Sequence, residues 1–364
     1  MYKYNTIDQA IVDARVSQFS EQMTRYLAGT LPEEQFMPLR LQNGLYIQRH
    51  APMLRVAIPY GTLAGYQLRH LAQVARQYDR GYGHFTTRQN IQFNWLALEQ
   101  VPEVLGELAT VQMHAIQTSG ACVRNTTTDP LAGTVPDEAI DPRVVCELIR
   151  QWSTFHPEFA YLPRKFKIAV VATEEDRAAI EVHDVGIRVK THAIHGLAFD
   201  LWVGGGLGRT PLLGHRLLAD LPLDELRNWL TAVLRVYNLA GRRDNKYKAR
   251  IKILVNAMGV EAFREAVTHR YLTDHDSDLK ISPETLQDLG DSFACTLQPR
   301  PIEEHRGSAE FQRWYLQNTK PHRVMGYRSV FISLKRPGTA PGDVTAQQGS
   351  FGRPTGRGRF QLVA

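Results

Sequence analysis

Three cations lie at the start of an apolar segment, YLPRKFKIAV (residues 161–170), whose composition predicts a buried strand. They are Arg164, Lys165 and Lys167. Lysine and arginine are rarely buried without an anionic partner, because an ionised group loses its hydration in the interior. One interpretation is an exposed strand end that guards a sheet edge. The other is an anion-binding site, which requires further cations from elsewhere in the chain.

Further cations occur within or beside other apolar stretches. Arg55 interrupts the strand-like segment MLRVAIPYG, Arg88 lies in TTRQNIQF, and Arg124 lies in ACVRNTTTDP. Each has an ordinary alternative: an edge position, a cross-strand ion pair and a solvated loop, respectively. Together with the two lysines they favour a cluster that binds an oxyanion or several carboxylates through charge-assisted hydrogen bonds.

The composition is that of a globular protein with two or three domains. The 364 residues are 43% apolar, and no apolar stretch approaches the roughly 20 residues that span a bilayer. The start of the chain lacks the apolar region of a signal peptide, which predicts a cytoplasmic location without membrane attachment. There are 43 lysines and arginines against 37 acidic residues, and the net charge of +6 suits an anionic ligand.

Metal binding by the side chains of this sequence is not expected. Cys122, Cys146 and Cys295 are far apart and form no CxxC pair, and the 13 histidines show no HExxH motif. An iron–sulfur cluster normally needs four thiolates. Each cysteine is therefore interpreted as a small buried apolar residue, and no metal ligand is assigned.

Helical and strand-like patterns alternate along the first third of the chain. A helix is predicted over residues 8–28, Asn43-Gly44 is a hairpin turn signal, and Thr62 can cap the next helix. The strand-like FTTRQNIQFNW and the helix VPEVLGELATVQ complete a β-α-β-β-α-like block over about residues 35–115.

The region of about residues 120–270 combines both patterns and predicts a mixed α/β domain. Residues 272–320 are less patterned and rich in Asp, Pro and His, so they are interpreted as a connector. The elements predicted between 120 and 270 are a helix near Val144 to Trp152, strands around Lys167 to Ala172, Ile180 to Val182 and Leu197 to Val203, and two helical stretches, PLDELRNWLTAVLRVY and KARIKILVNAMGVEAFREAV.

A short internal repeat is visible near the end of the sequence. Residues 54–73 and 329–348 share an order of features: an alternating strand, two glycines and a helix start. The second unit stops where its helix should begin. The Gly- and Arg-rich residues after it show neither a helical nor a strand period, which predicts an irregular tail.

Six segments, in content and order, resemble the sirohaem-dependent sulfite and nitrite reductases, and most of all the haemoprotein (beta) subunit of assimilatory sulfite reductase. The resemblance extends from about residue 10 to residue 348. It is most specific where YLPRKFKIAV is followed by the glycine-rich segment. The six segments are RVAIPYG, TTRQNIQFNW, VRNTTTDP, YLPRKFKIAV, LWVGGGLGRTP and VFISLKRPGTAPGDVT.

The resemblance implies an oxidoreductase with two cofactors. Members of this family bind sirohaem and a [4Fe-4S] cluster, and they reduce sulfite to sulfide or nitrite to ammonia with six electrons from a flavoprotein subunit or ferredoxin. Two arginines and two lysines hold the substrate anion. In this sequence they match Arg55, Arg124, Lys165 and Lys167, and either lysine could donate protons.

The resemblance also implies a set of residues that contact sirohaem, which carries eight carboxylates. The glycines among them would let backbone approach the macrocycle, although a tight turn is an alternative reason for them. They do not form a GxGxxG fingerprint, because residue 209 is arginine. The implied contact residues are Arg88, Gln92, Asn125, Arg164, Gly204, Gly205, Gly206, Arg250 and Lys252.

The expected fold class is α+β or mixed α/β. A ferredoxin-like half-domain is followed by a sirohaem-binding α/β domain and by the start of a second ferredoxin-like half that pairs with the first. The expected boundaries are an N-terminal helical segment over 1–34, the half-domain over 35–118, the sirohaem/4Fe-4S-type reductase domain over 119–271, the connector over 272–320, the start of the second half over 321–348 and the irregular tail over 349–364.

One departure from the family pattern concerns the cluster. The complete enzymes continue for a further third, which carries the four ligands as a CxxxxxC pair and a CxxxC pair, and the three cysteines of this sequence match neither. The expectation is a C-terminally truncated reductase that is inactive. Alternatives are one half of a split enzyme that associates with a separate C-terminal polypeptide, or a sirohaem-binding fragment without redox chemistry. Nucleic-acid binding by the basic tail is not favoured.

Overall fold

Two β-sheets, each covered by helices, organise the chain. A computed structural model describes residues 3–302, 307–334, 343–345 and 359–361. The helices are α1 (Thr6–Leu27), α2 (Glu33–Gln42), α3 (Gly65–Tyr78), α4 (Val101–Thr110), α5 (Pro142–Ser153), α6 (Leu226–Ala240), α7 (Ile251–Met258), α8 (Val260–Asp274), α9 (Pro283–Phe293) and α10 (Ala309–Asn318). The strands are β1 (Leu45–Ile47), β2 (Pro52–Val56), β3 (Thr62–Ala64), β4 (Tyr82–Phe85), β5 (Ile91–Phe93), β6 (Thr127–Thr128), β7 (Ile168–Val171), β8 (Val185–His192), β9 (Gly196–Val203), β10 (His215–Pro222), β11 (Thr319–Pro321), β12 (Arg328–Val330), β13 (Asp343–Thr345) and β14 (Arg359–Gln361).

The first sheet is antiparallel, with the strand order β1-β2-β5-β4-β13. Its core contains Phe19 from α1, Phe36 from α2, Leu71 from α3 and Leu108 from α4, packed around Phe93 of β5. Each such fully buried large apolar side chain contributes about 1.5–3 kcal/mol relative to leaving it exposed. The alternation of apolar residues in β2 and β5 thus fixes which face of the sheet meets the helices.

The second sheet has the order β10-β9-β8-β7-β6. The β6–β7 and β7–β8 pairs are parallel. The β8–β9 and β9–β10 pairs are antiparallel. The core brings together Val145 of α5, Val170 of β7, Phe199 of β9, Leu230 of α6 and Phe263 of α8. Sheets and helices are present in both halves, so the predicted mixed α/β class is confirmed.

Two turn predictions in the first half are wrong. Asn43 and Gly44 end α2 and do not form a hairpin turn, because the α2 register continues to Asn43 and Gly44 then adopts a φ of +76°. Thr62 lies in β3 and does not cap a helix. Ala64 is the residue that precedes α3. Its backbone N–H donates a hydrogen bond to Gln67 Oε1 (3.1 Å).

Three predictions in the second half are also wrong. Ile180–Val182 forms a 3-10 turn, because Ala179 adopts a left-handed conformation and Asp176 accepts a hydrogen bond from Ile180 N (2.9 Å). The strand begins only afterwards, as β8. The second helical stretch is two helices, interrupted at Gly259 with its φ of +83°. The supposed connector, residues 272–320, contains α9 and α10.

The last part of the chain adds strands to the first half. β11 and β12 form a hairpin, β13 pairs antiparallel with β4, and β14, within the tail predicted to be irregular, pairs antiparallel with β3. Other residues of the predicted second half-domain and tail lie outside the described residues. None of the described helices is both long enough and apolar enough to cross a membrane.

Candidate functional site

The two lysines of the YLPRKFK segment lie on one side of an extended backbone. Between them Phe166 is fully buried in the second core, whereas Lys165 and Lys167 are half-buried on the other side. This follows from the alternation of side chains along an extended chain. Phe166 forms an isolated parallel bridge with Val123, and Arg124 N donates to Phe166 O (2.8 Å). The bridge therefore brings Arg124 beside the lysines.

Arg55 and Arg124 meet at one carbonyl group. Arg55 Nη1 donates to Thr118 O (3.2 Å), and Arg124 Nη1 donates to the same oxygen (2.7 Å). Arg55 Nη2 also donates to Gln92 Oε1 (3.1 Å), since the β2–β5 register places these residues opposite each other. Burial lowers the pKa of Arg55, and the nearby charge of Arg124 lowers it further. The first half-domain and the loop before β6 thus each supply one guanidinium.

Arg88 reaches from the turn between β4 and β5 into the second half of the molecule. Its Nη1 donates to Thr127 Oγ1 (2.7 Å), and its Nη2 donates to Asn125 O (2.5 Å) and Ile168 O (3.0 Å). Its Nε is buried without a hydrogen-bond partner among the described residues. Burial lowers the pKa of Arg88 to about 9. Its three hydrogen-bond acceptors are neutral, and Asp184 acts on it through its charge without forming an ion pair.

Lys165 and Lys167 have ammonium groups without a hydrogen-bond partner in the described part of the chain. Burial lowers the pKa of Lys165, as do Arg124, Arg250 and Arg164. Burial, Arg88 and Arg250 lower the pKa of Lys167 to about 8.

None of the cations Arg55, Arg88, Arg124, Lys165 and Lys167 forms an ion pair with a described residue. The structure therefore brings the predicted cations together as one group, which we call the anion pocket. Arg164 lies at its edge and acts on Lys165 through its charge.

Asp184 is a site residue that the sequence prediction missed. Its Oδ1 accepts two hydrogen bonds from Arg250, from Nε (2.9 Å) and Nη2 (2.7 Å), and its Oδ2 accepts one from Lys167 N (2.8 Å). Its backbone O accepts from Gly204 N (3.0 Å). Asp184 is fully buried and ties together three segments of the site. The charge of Arg250 is paired with Asp184. Its main use is therefore to hold the segment of Lys167 in place through Asp184.

Asn125, predicted to contact the cofactor, is engaged within the protein. Its Nδ2 donates to Ile58 O (2.9 Å), Asn90 Oδ1 (2.9 Å) and Arg88 O (3.1 Å), and its Oδ1 accepts from Tyr60 N (3.2 Å). The side chain is buried. It holds the segment that carries Arg88 against the second half, so the structure gives it a positioning use.

Lys252 is likewise engaged within the protein. Its Nζ donates to Thr210 O (2.5 Å) and lies near Gly206 O (3.4 Å) and Leu207 O (3.5 Å). Burial lowers its pKa. The ammonium therefore clamps the glycine-rich loop, which is closed by paired backbone hydrogen bonds between Gly206 and Leu212 (2.9 Å each).

Gly205 has a reason to be glycine that lies within the protein. A Cβ at this position would collide with the carbonyl oxygens of Glu181 and His183. Its neighbour Gly204 adopts a φ of +89°, which favours glycine. Close packing of the loop on residues 181–183 explains these glycines without a ligand, and their predicted contact with a macrocycle stays a prediction.

His183 is a second site residue that sequence reasoning missed. It lies between the 3-10 turn and β8, and its Nδ1 is 2.8 Å from Ala179 O. Burial lowers its pKa to about 3, and the charges of Arg88, Lys167 and Arg250 lower it in the same direction. The imidazole is therefore neutral at ordinary pH. The described residues contain no group of three or more His, Cys, Asp or Glu that could hold a metal ion.

An array of partly buried cations that form no ion pair among the described residues can bind an anion with several oxygens. Each hydrogen bond to a charged group contributes about 1.5–3 kcal/mol, and partial burial reduces screening by salt. The first half contributes Arg55 and Arg88, and the second half contributes Arg124 and the two lysines. A bound polyanion would therefore contact both halves of the molecule. A lysine with a pKa of about 8 can also donate a proton to a bound oxygen near neutral pH.

Two parts of the sequence match described protein families. Residues 119–275 match the Nitrite and sulphite reductase 4Fe-4S domain, and residues 46–111 match the Nitrite/Sulfite reductase ferredoxin-like half domain. The second range contains Arg55 and Arg88, and the first contains Arg124 and both lysines of the anion pocket. The pocket is thus built from residues of both matched segments.

Similar proteins include reductases from bacteria and plants. The sulfite reductase [ferredoxin] 1 of Mycolicibacterium paratuberculosis is 37% identical over 220 residues, which cover 60% of this chain and 39% of that protein. The chloroplastic ferredoxin–nitrite reductase of Arabidopsis thaliana is 34% identical over 226 residues, which cover 60% of this chain and 38% of that protein. The chain spans about two fifths of the length of these relatives.

Two solved structures are similar to this fold. The Mycobacterium tuberculosis NirA protein matches with a TM-score of 0.70 and 28% identity, over 88% of this chain and 56% of that one. Dissimilatory sulfite reductase I (DsrI) matches with a TM-score of 0.51 over 86% of this chain, and at 11% identity it supports the fold alone.

Proposed function

We propose that this chain binds sirohaem and the substrate anion of a six-electron sulfite reductase. The chain belongs to the nitrite and sulfite reductase family. Members of this family use sirohaem and a [4Fe-4S] cluster. The observation that supports this is the anion pocket, in which five cations lie without an ion pair among the described residues. Sulfite is preferred over nitrite because the sulfite reductase relative is the more similar, at 37% against 34% identity.

The residues present fit an anionic macrocycle. Sirohaem carries eight carboxylates, and the two lysines have no protein acceptor among the described residues. In addition, the Nε atoms of Arg55 and Arg88 are buried without an acceptor. In this proposal Arg88 and Arg164 hold carboxylates of the cofactor, and Arg250 orients the pocket wall. When bound, sirohaem supplies the iron centre at which electrons reach the substrate.

The substrate anion is assigned to Arg55, Arg124, Lys165 and Lys167. The two arginines bind and orient its oxygens through charge-assisted hydrogen bonds. Lys167 is the preferred proton donor, because its pKa of about 8 is closest to neutral pH. Proton donation from Nζ to an oxygen makes that oxygen a better leaving group.

We further propose that these 364 residues alone do not turn over sulfite. Four thiolates normally hold the cluster, whereas this sequence contains three cysteines. Burial raises the pKa of Cys122 and of Cys146, which disfavours the thiolate that metal binding needs. In the proposal the cluster ligands come from other sequence, on the same polypeptide or on a separate one, and electrons arrive from a ferredoxin or a flavoprotein subunit.

The test is the visible absorption spectrum of the purified chain, produced in cells that overproduce sirohaem, with iron and acid-labile sulfide counted. We expect sirohaem bands without stoichiometric sulfide. The double variant Lys165→Ala and Lys167→Ala should retain at least tenfold less sirohaem, because two charge-assisted contacts are removed. Lys320→Ala, an exposed lysine of β11, is the matched control and should behave as the wild type.

Each failure of this test has a separate meaning. A colourless wild-type chain would refute sirohaem binding. Stoichiometric acid-labile sulfide would refute the assignment of the cluster to other sequence. Equal sirohaem retention by the double variant and the wild type would refute the role of the two lysines.

A further inference from the structure

A glutamine side chain joins the two halves of the molecule. Gln89 lies in the turn between β4 and β5 and is fully buried. Its Nε2 donates to Thr128 O (2.9 Å), and Thr128 N donates to its Oε1 (3.2 Å). Thr128 belongs to β6, which lies at one end of the second sheet. The amide therefore meets both backbone groups of one strand residue, as a residue of a paired antiparallel strand would.

The backbone of Gln89 adopts a conformation that favours glycine. Its φ is +55°, which has a steric cost for any other L-residue. A glycine would remove this cost, but it would also remove the amide. A primary amide supplies both a donor and an acceptor, whereas a carboxylate only accepts. The two hydrogen bonds to Thr128 thus offset the strain, and they indicate that the side chain is needed at this position.

The preceding residue, Arg88, reaches the backbone that carries two other cations of the anion pocket. Arg88 Nη2 donates to Asn125 O (2.5 Å) and to Ile168 O (3.0 Å). Residues 125 and 168 directly follow Arg124 and Lys167 in the sequence. These contacts place the Arg88 guanidinium, from the first half, against the segments of the second half that supply its cations.

Two further left-handed residues hold the segment of Arg88. Tyr60 (φ +42°) donates from N to Asn125 Oδ1 (3.2 Å), and the carbonyl of Gln117 (φ +61°) accepts from Asn125 N (3.3 Å). Asn125 Nδ2 donates in turn to Arg88 O (3.1 Å). With Gln89, three of the seven left-handed non-glycine residues in the described part of the chain lie at this junction. Such concentrated backbone strain is typical of a pre-organised functional site.

We propose that Gln89 is a positioning residue, which aims Arg88 at the bound anion and fixes the two halves in the register in which their cations reach one ligand. The inference rests on the proposed sirohaem site. A small rotation between the halves would separate cations that must contact the same polyanion. Groups that are held in place before binding lose less entropy when the ligand binds.

The experiment compares sirohaem retention by the full chain and by three variants, all produced in cells that overproduce sirohaem. Gln89→Gly removes the amide and relieves the backbone, whereas Gln89→Asn keeps an amide that is one methylene too short to reach Thr128. Both should retain about tenfold less sirohaem, the equivalent of one charge-assisted hydrogen bond. Gln112→Gly is the matched control, because Gln112 is also left-handed (φ +58°) but lies in the turn after α4. It should retain as much sirohaem as the wild type.

A second measurement follows the Arg88 side chain without any ligand. The Nε atom of Arg88 is buried, so its N–H signal in proton–nitrogen NMR should exchange slowly with water, and Arg88→Lys assigns the signal. Both Gln89 variants should shift this signal and speed its exchange at least about tenfold, because a group released from its neighbours opens more often. Gln112→Gly should leave it unchanged. A role in stability alone would lower the urea midpoint of the Gln89 variants without moving this signal.

The outcomes separate this inference from the proposed function. An unmoved Arg88 signal in both Gln89 variants would overturn the inference, and so would sirohaem retention equal to that of a sirohaem-binding wild type. If Gln89→Gly does not fold, Gln89→Asn decides by the same two measurements. A colourless wild-type chain would refute sirohaem binding, whereas an Arg88 signal that moves only in the Gln89 variants would still support the positioning of Arg88.

Discussion

Partly buried cations at two places in this protein differ in the charges that surround them. Arg150, on α5, donates to Glu147 (2.7 and 2.8 Å) and lies 3.5 Å from Asp8 of α1. Burial opposes its charge, but Glu147 outweighs burial, so the pKa of Arg150 is raised. In the anion pocket the pKa values of Lys165 and Lys167 are lowered. Asp184 raises the pKa of both lysines, but burial and the neighbouring cations outweigh it, whereas the directly bonded Glu147 outweighs burial at Arg150.

This difference separates a structural charge from one that is available to a ligand. A buried pair satisfies itself, and removing one partner leaves an uncompensated charge. An unpaired buried cation costs folding free energy, which a bound anion offsets by mass action. Strongly perturbed groups of this kind are typical of functional sites. We therefore expect changes at Glu147 to alter stability and changes at Lys167 to alter ligand binding.

The largest expected effect on stability is at Glu147, which is fully buried and also accepts from Tyr60 Oη (3.2 Å). Glu147→Ala should lower the free energy of unfolding by about 3–5 kcal/mol, because Arg150 loses its main partner. Urea denaturation measures this change. Glu175→Ala, whose side chain is 67% exposed, is the control and should change it by less than about 1 kcal/mol. Similar losses in both variants would mean that the buried pair has no special role.

The five cations of the anion pocket can be recognised in the sequence, because a cation within or beside an apolar strand is visible without a structure. The catalytic roles of Arg55, Arg124, Lys165 and Lys167 are implied by the family resemblance alone and stay a prediction. Asp184 and His183 cannot, since their place depends on the long-range parallel pairing of β7 with β8. Ile180–Val182 also has a local composition that favours a strand, whereas Asp176 turns the chain there. Local patterns thus indicate which residues are unusual, and tertiary contacts decide which others join them.

The fold also contains elements with a local sequence signal and pairings without one. The sequence around α9 contains helix signals, since Ser282 caps the first turn and Pro283 occupies its first position. The interpretation of residues 272–320 as a connector overlooked them. The pairing of β13 with β4 has no local signal, because it joins Asp343–Thr345 to residues about 260 positions earlier. Contacts of that separation are set by the assembled core, not by the segment itself.

Anion binding by Lys167 should depend on pH. Lys167 has a pKa of about 8, so its ammonium is lost as pH rises through 8. Sulfate, which stays fully ionised, should therefore bind about tenfold more weakly at pH 9 than at pH 7, as measured by calorimetry. Lys167→Arg keeps the charge and should remove most of this dependence. An unchanged pH dependence in that variant would assign it to another group.

The sign for folding is opposite to that for binding. The pKa of Lys167 is below its ordinary value of 10.5, so between pH 8 and 10.5 the unfolded chain binds more protons at this residue. Its contribution to the free energy of unfolding should therefore rise with pH in that window, and Lys167→Arg should lack the rise. Parallel urea titrations of the two proteins measure the difference. A loss of stability specific to the wild type there would contradict the lowered pKa.

The smallest expected change in the free energy of unfolding is at an ion pair that is exposed to solvent. Arg235 of α6 forms two hydrogen bonds to Glu158 (2.9 and 3.1 Å), but the side chains are 33% and 30% exposed. Glu158→Ala should cost only about 0.2–1 kcal/mol, because water solvates both charges in the unfolded and folded chain. The cost should shrink in 1 M salt, which screens exposed pairs. A loss comparable to that of Glu147→Ala would show that pairing geometry, and not burial, sets the energy of these cations.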